Sequence, residues 1–109
     1  MATLTVQDII TTGLSPSLSA AAGGGDEFAN TGKEYLEIVN ADVSAMTLTV
    51  VTQQTVAGLA VADRTVSVPA GEARKIGPFS KSLYNDSGEK VQLTYSAVTS
   101  LTVGVFKFG

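Results

Sequence analysis

Apolar residues return at every second position in six stretches of the chain. Thr3-Leu4-Thr5-Val6 opens with that beat. In Lys33–Asn40, Leu36 and Ile38 share one face, with Glu37 between them and Tyr35 and Val39 on the other. Thr47–Val50 alternates before Val51-Thr52, and Val66 and Val68 fall together within Arg64–Val68. Val91, Leu93 and Tyr95 oppose Gln92 and Thr94, while Leu101, Val103 and Val105 oppose Phe106 and Phe108. A two-residue repeat sends alternate side chains to opposite faces of a pleat, so each stretch predicts a strand with one face buried. The last stretch is apolar on both faces. It predicts a strand that is central in a sandwich or covered by another subunit.

Turn chemistry separates these runs. Pro69-Ala70-Gly71-Glu72 has Pro to preset φ and Gly to supply positive φ, and Asn85-Asp86-Ser87-Gly88 reads likewise. Asn40-Ala41-Asp42 is short enough to join two strands as a hairpin. Helical signals are brief: Asp8-Ile9-Ile10 could cap one turn and Ser80–Tyr84 could form another. Ser17–Ala22 ends in three glycines and reads as irregular; Ala20–Gly25 is the one low-complexity patch. Short strands at these intervals predict an all-β fold, a single-domain antiparallel β-sandwich of jelly-roll or Ig-like type. Residues 1–30 differ in texture and predict an N-terminal arm with a Gly-rich connector, and residues 31–109 predict the sandwich body.

Composition narrows what such a fold could do. The 109 residues hold 13 each of Thr, Val and Ala and 10 Ser, with 16% charged residues, a net charge of −3, and no His, Cys or Trp. Branched Thr and Val suit pleated sheets. Without thiol or imidazole there is no zinc, copper or iron–sulfur site of the usual kind, no cysteine nucleophile, and no triad with a His base. Seven basic residues spread along an acidic chain make a poor footprint for a phosphate backbone, so no nucleic-acid partner is expected. The apolar run Val56–Ala62 contains Gly58 and is too short to span a bilayer, and MATLTVQDII lacks a basic leader. No membrane partner and no secretion signal are expected.

Catalytic motifs fail in turn. Gly32-Lys33 is followed by Glu34, and Glu27 stands where a phosphate loop needs its first glycine. Carboxylates remain as possible acid and base for a glycosidase, but Asp26-Glu27 point apart in an extended segment and Glu34 and Glu37 fall on opposite faces. Asp86-Ser87-Gly88-Glu89 lacks the acidic spacing of a calcium loop. The residues predict no enzyme, no cofactor and no metal.

The order of motifs carries a resemblance. Leu4-Thr5-Val6-Gln7-Asp8-Ile9 precedes Gly13-Leu14-Ser15-Pro16, and Gly25-Asp26-Glu27-Phe28-Ala29-Asn30-Thr31-Gly32 leads into Tyr35–Asn40. Then come Val66–Glu72, Ile76-Gly77-Pro78-Phe79, Tyr84-Asn85-Asp86 and Val91–Ser96. Nearly the whole chain resembles a group of small tailed-bacteriophage virion proteins. That resemblance implies a decoration (cement) protein on the outer capsid surface, made in the host cytoplasm and bridging neighbouring copies of the major capsid protein. It also implies a homo-oligomer, a trimer being favoured. A host-surface or carbohydrate-binding module of the virion, and a neck or tail connector component, are the alternatives.

Candidate partner-interface residues follow from the arm and the aromatics. Leu4, Val6, Ile9, Ile10 and Leu14 are either apolar anchors that pair with a partner's sheet edge or the first strand of the protein's own sandwich. Phe28, Phe79 and Tyr84 either plug the ends of the sandwich or anchor a partner.

Overall fold

A computed structural model of the chain describes residues 2–53, 55–56, 58–60 and 62–108; of Thr55, Val56, Ala60 and Phe108 it describes the backbone only. The elements follow in the order β1 (Ala2–Thr3), β2 (Val6–Ile9), β3 (Ser19–Ala20), β4 (Asp26–Ala29), β5 (Glu34–Asn40), β6 (Met46–Val50), β7 (Thr55–Val56) and β8 (Leu59–Ala60). After them come β9 (Arg64–Val68), β10 (Ala73–Ile76), α1 (Lys81–Tyr84), β11 (Lys90–Tyr95) and β12 (Leu101–Phe108). One sheet runs β1-β4-β11-β6-β9 and the other β10-β5-β12-β2, with β3 also on β12, while β7 and β8 form a separate ribbon. The two sheets pack together, so the chain is a nearly all-β sandwich, as the alternation predicts.

The predicted faces are the observed ones. β5 buries Glu34, Leu36, Ile38 and Asn40 and half-buries the residues between. Leu48, Val50, Val68, Val91, Leu93, Leu101, Val103 and Val105 complete the interior from both sheets. Each such side chain is worth roughly 1.5–3 kcal/mol on burial, which is how a chain without disulfides holds its fold. The terminal strand β12 lies between β5 and the β2/β3 edge. Its outer face is covered at two positions by this chain itself: Phe106 is buried with Tyr35 at 5.7 Å, and Leu18 lies over Gly104, while the Phe108 side chain lies outside the described residues.

Several expectations are corrected. The sandwich is mixed: β1 runs parallel to β4 and β2 parallel to β12. Residues 2–30 are no extended arm, because β1 and β4 belong to one sheet and β2 and β3 to the other. A boundary at residue 30 would fall between β4 and β5, whose Phe28 and Leu36 share one core. Asp8 and Ile9 lie in β2 where a helical turn was possible, since their backbone pairs with Lys107 and Phe108. Ser19–Ala20 is a strand, not irregular, because β12 offers it an edge. The helical turn over Ser80–Tyr84 is present as α1, and the Pro69–Glu72 turn closes with Glu72 N–H donating to Pro69 O at 3.2 Å. The run Val56–Ala62 includes Ala57 and Val61, which lie outside the described residues.

The largest departure is at Asn40. β5 and β6 are in different sheets, so residues 41–45 form a crossover instead of a hairpin. The buried Asn40 amide donates to Ser44 O at 2.9 Å and Val68 O at 3.1 Å, and its Oδ1 accepts from Asp42 N–H at 3.1 Å. Its backbone N–H donates to Glu72 O at 2.9 Å. One side chain thus ties the β5–β6 crossover to the β9–β10 crossover beside it. The β4–β5 crossover uses Glu34 in the same way, accepting from Thr31 N–H at 2.7 Å and Lys33 N–H at 3.2 Å. Buried polar groups here close corners, which satisfies backbone that the strands cannot pair.

Candidate partner-binding surface

The expected interface residues divide by burial. Phe28 and Phe79 have no exposed surface, Tyr84 is 6% exposed and Leu4 is 7% exposed. They are core, so in this fold they have no face to offer a partner. Phe28 packs edge-on to Phe79 at 5.4 Å, and Phe79 to Tyr84 at 6.1 Å, closing the end of the sandwich. Val6 is half-buried against the core, and Ile9 and Leu14 are half-buried. Only Ile10, 52% exposed, stands open as the arm reading required. The structure therefore gathers the aromatic trio and disperses the N-terminal set along sheet edges.

Asn30 and Asn85 brace the aromatic end. Asn30 Nδ2 donates to Phe79 O at 3.0 Å and to Asn85 Oδ1 at 2.7 Å, and Asn85 Nδ2 returns a bond to Asn30 O at 2.9 Å. Arg64 lies over this end, its guanidinium carbon 5.3 Å from the Tyr84 ring centre and 5.9 Å from that of Phe79. Both distances fall within cation–π range.

On the outer face of the first sheet is a polar cluster that sequence spacing did not reveal. Gln92 Nε2 donates to Glu27 Oε1 at 2.9 Å and to Asp86 Oδ2 at 2.7 Å. Thr3 Oγ1 and Lys90 Nζ donate to Glu27 Oε2 at 3.0 and 3.2 Å. The Gln92 bond, then those from Lys90 and Thr3, holds the Glu27 carboxyl below the usual range. The Lys90 backbone N–H, then Gln92, does the same for Asp86. Two carboxyls that both favour the charged form supply no general acid, so this pair lacks the split in proton affinity a glycosidase needs. Asp26 and Glu27 do point apart, and Asp86 takes bonds from Gly88 N–H and Lys90 N–H within a turn.

Asp26 is wholly buried. Its Oδ2 accepts from the Tyr95 hydroxyl at 2.7 Å and from Ala22 N–H at 3.2 Å, and its Oδ1 has no partner among the described residues. Burial first, and the Asp26 bond second, push the Tyr95 hydroxyl well above the ordinary tyrosine range. The pair fastens the glycine-rich segment before β4 to β11.

Hollows on the described surface include one of about 320 Å³ lined by Thr3, Leu4, Gln7, Ser17 and Gly104 among others, and one of about 330 Å³ lined by Tyr35, Lys75, Ile76 and Gly77. No acid lines either. Among the described residues no group of three His, Cys, Asp or Glu could hold a metal, and no helix is long and apolar enough to cross a membrane. Comparison with protein-family models, with curated proteins and with solved structures finds no match. What distinguishes the surface is the β7–β8 ribbon: it belongs to neither sheet, interrupts the antiparallel neighbours β6 and β9, and carries Leu59 at 73% exposure.

Proposed function

We propose that the chain is a non-enzymatic binding protein of a virion, a decoration protein that docks on the outer head surface and stabilises contacts between major capsid proteins. The resemblance in motif order supplies the setting. The observation that carries the binding role is the β7–β8 ribbon with its exposed Leu59. A lone two-stranded ribbon is marginal in water. Seating it on a partner buries the exposed Leu59, and repeated copies on a shell multiply modest single contacts.

The buried rings of Phe28, Phe79 and Tyr84 leave those residues no platform for a sugar, which weighs against the carbohydrate-binding alternative. A ribbon could also reach a neighbouring subunit in a neck ring. Particles made without this protein test the proposal: they should assemble but open at a lower temperature than complete particles, and electron microscopy should place the protein over the shell. Unchanged heat resistance, or density at the neck or tail tip, would refute it.

A further inference from the structure

Apart from the ribbon, the outer edge of β9 pairs with no strand among the described residues. Ser96 N–H donates to Thr47 O at 3.0 Å and Val51 N–H to Gln92 O at 3.0 Å, so the peptide groups of Thr47, Thr49 and Val51 turn toward β11. Peptide groups alternate sides along a strand, so those of Met46, Leu48 and Val50 turn toward β9. The register pairs these with Val68, Val66 and Arg64. The N–H and C=O groups of Thr65 and Ser67 therefore point away from the sheet, and β9 is the last strand of its order.

The other edges are blunted. β1 has two residues, the β2/β3 edge is divided between two short strands, and β10 carries Arg74 and Lys75 already paired with Glu72 and Glu37. β9 has five residues in unbroken register, none of them Lys, Pro or acidic. Charged edges, prolines and short strands are the usual protections against strand addition, and β9 has little of them.

Its one charge is Arg64. Of the two arginines, Arg74 meets Glu72 at 2.9 Å, whereas Arg64 makes no ion pair among the described residues. Its guanidinium is held over Tyr84 and Phe79 at the interior side of the edge. A guanidinium positioned in advance on rings, with its N–H fork open, fits a carboxylate.

We infer that β9 accepts an extended partner segment as an added strand, and that Arg64 selects one carrying a carboxylate. The backbone of Thr65 and Ser67 supplies affinity; Arg64 supplies the choice. The inference stands on the edge and not on the head assignment, so either can fail alone.

The test uses the full chain, isotope-labelled, and a capped synthetic peptide of alternating Val and Thr with one central Glu. Titration should shift the amide resonances of Thr65 and Ser67 and slow their hydrogen exchange. Arg64→Gln, or Gln for Glu in the peptide, should each weaken binding about tenfold, and the two changes together should weaken it little further. Ser67→Pro should abolish binding while the spectrum of the rest of the fold is kept, because that N–H pairs with nothing in the sheet. Thr65 and Ser67 amides that stay fixed at millimolar peptide would overturn the inference, and so would equal affinity for the Glu and Gln peptides.

Discussion

Replacing Gly104 by Ala tests how tightly the chain covers its own last strand. A methyl group at this position would sit 2.6 Å from Leu18 Cδ2, 3.0 Å from the Ser17 carbonyl oxygen and 3.2 Å from Phe106 Cε2. The leucine terminus can swing away cheaply. The carbonyl cannot, because Gln7 clamps Ser17 from both sides, donating to its oxygen at 2.7 Å and accepting from its N–H at 2.9 Å. Two effects oppose each other. Gly104 lies outside the left-handed region, so alanine fits its backbone and gains about 0.4–1 kcal/mol from a less free unfolded chain. Overpacking costs about 1–3 kcal/mol, and full release of the cover would forfeit much of the Leu18 burial as well. Steric cost wins, leaving a net loss of about 1–2 kcal/mol, or roughly 4–8 °C in Tm at this chain length. Calorimetry reads the shift, and hydrogen exchange should show faster exchange at Ser17 and Ala21, whose N–H groups donate to Gln7 Oε1 and Leu101 O, with β5 and β6 unaffected. An unchanged or raised Tm, with Ser17 still protected, would refute the packing described over β12.

Two further outcomes follow from the buried polar groups. Asn40→Ala leaves carbonyls of two crossovers short of a donor and should cost about 2–4 kcal/mol by denaturant titration, far above an exposed Asn. Stability should also fall at both pH extremes. Tyr95 has its affinity for the proton raised by folding, so its contribution is complete below the free tyrosine value of about 10 and is lost as pH rises beyond it. Spectroscopic titration should find one tyrosine silent until unfolding. Glu27 and Asp86 have theirs lowered, so their contribution is present above about pH 4 and is lost as pH falls. Glu27→Gln should flatten that acid limb.

Strand faces were legible because a two-residue period reports burial directly, as in Leu36-Glu37-Ile38 or Val91-Gln92-Leu93. Pairing was not legible, since nothing local distinguishes a hairpin from a crossover at Asn40; the difference lies in what its amide meets 28 residues away. The Glu27–Gln92–Asp86 cluster hid for the same reason, with Glu27 and Gln92 65 residues apart. Leu4 and Phe28 looked like anchors because apolar residues beside Thr and Gly runs suggest exposure. Both are buried because those runs double back into the sheets. Arg64 showed no sign in sequence at all, because its meaning depends on rings brought under it by α1 and the segment before it.

The parallel pairing of β2 with β12 also bears on folding. Val6 pairs with Val105 and Ile9 with Phe108, contacts between residues very far apart in the sequence. β2 therefore depends on a strand far along the chain from it. Such distant contacts close slowly and leave apolar strands exposed meanwhile. A chain without β12 would lose more than an edge: β5 would lose its central neighbour, and β2 and β3 the one strand they pair with among the described residues. Removing β12 should thus undo the sheet it centres, not merely trim one side of it.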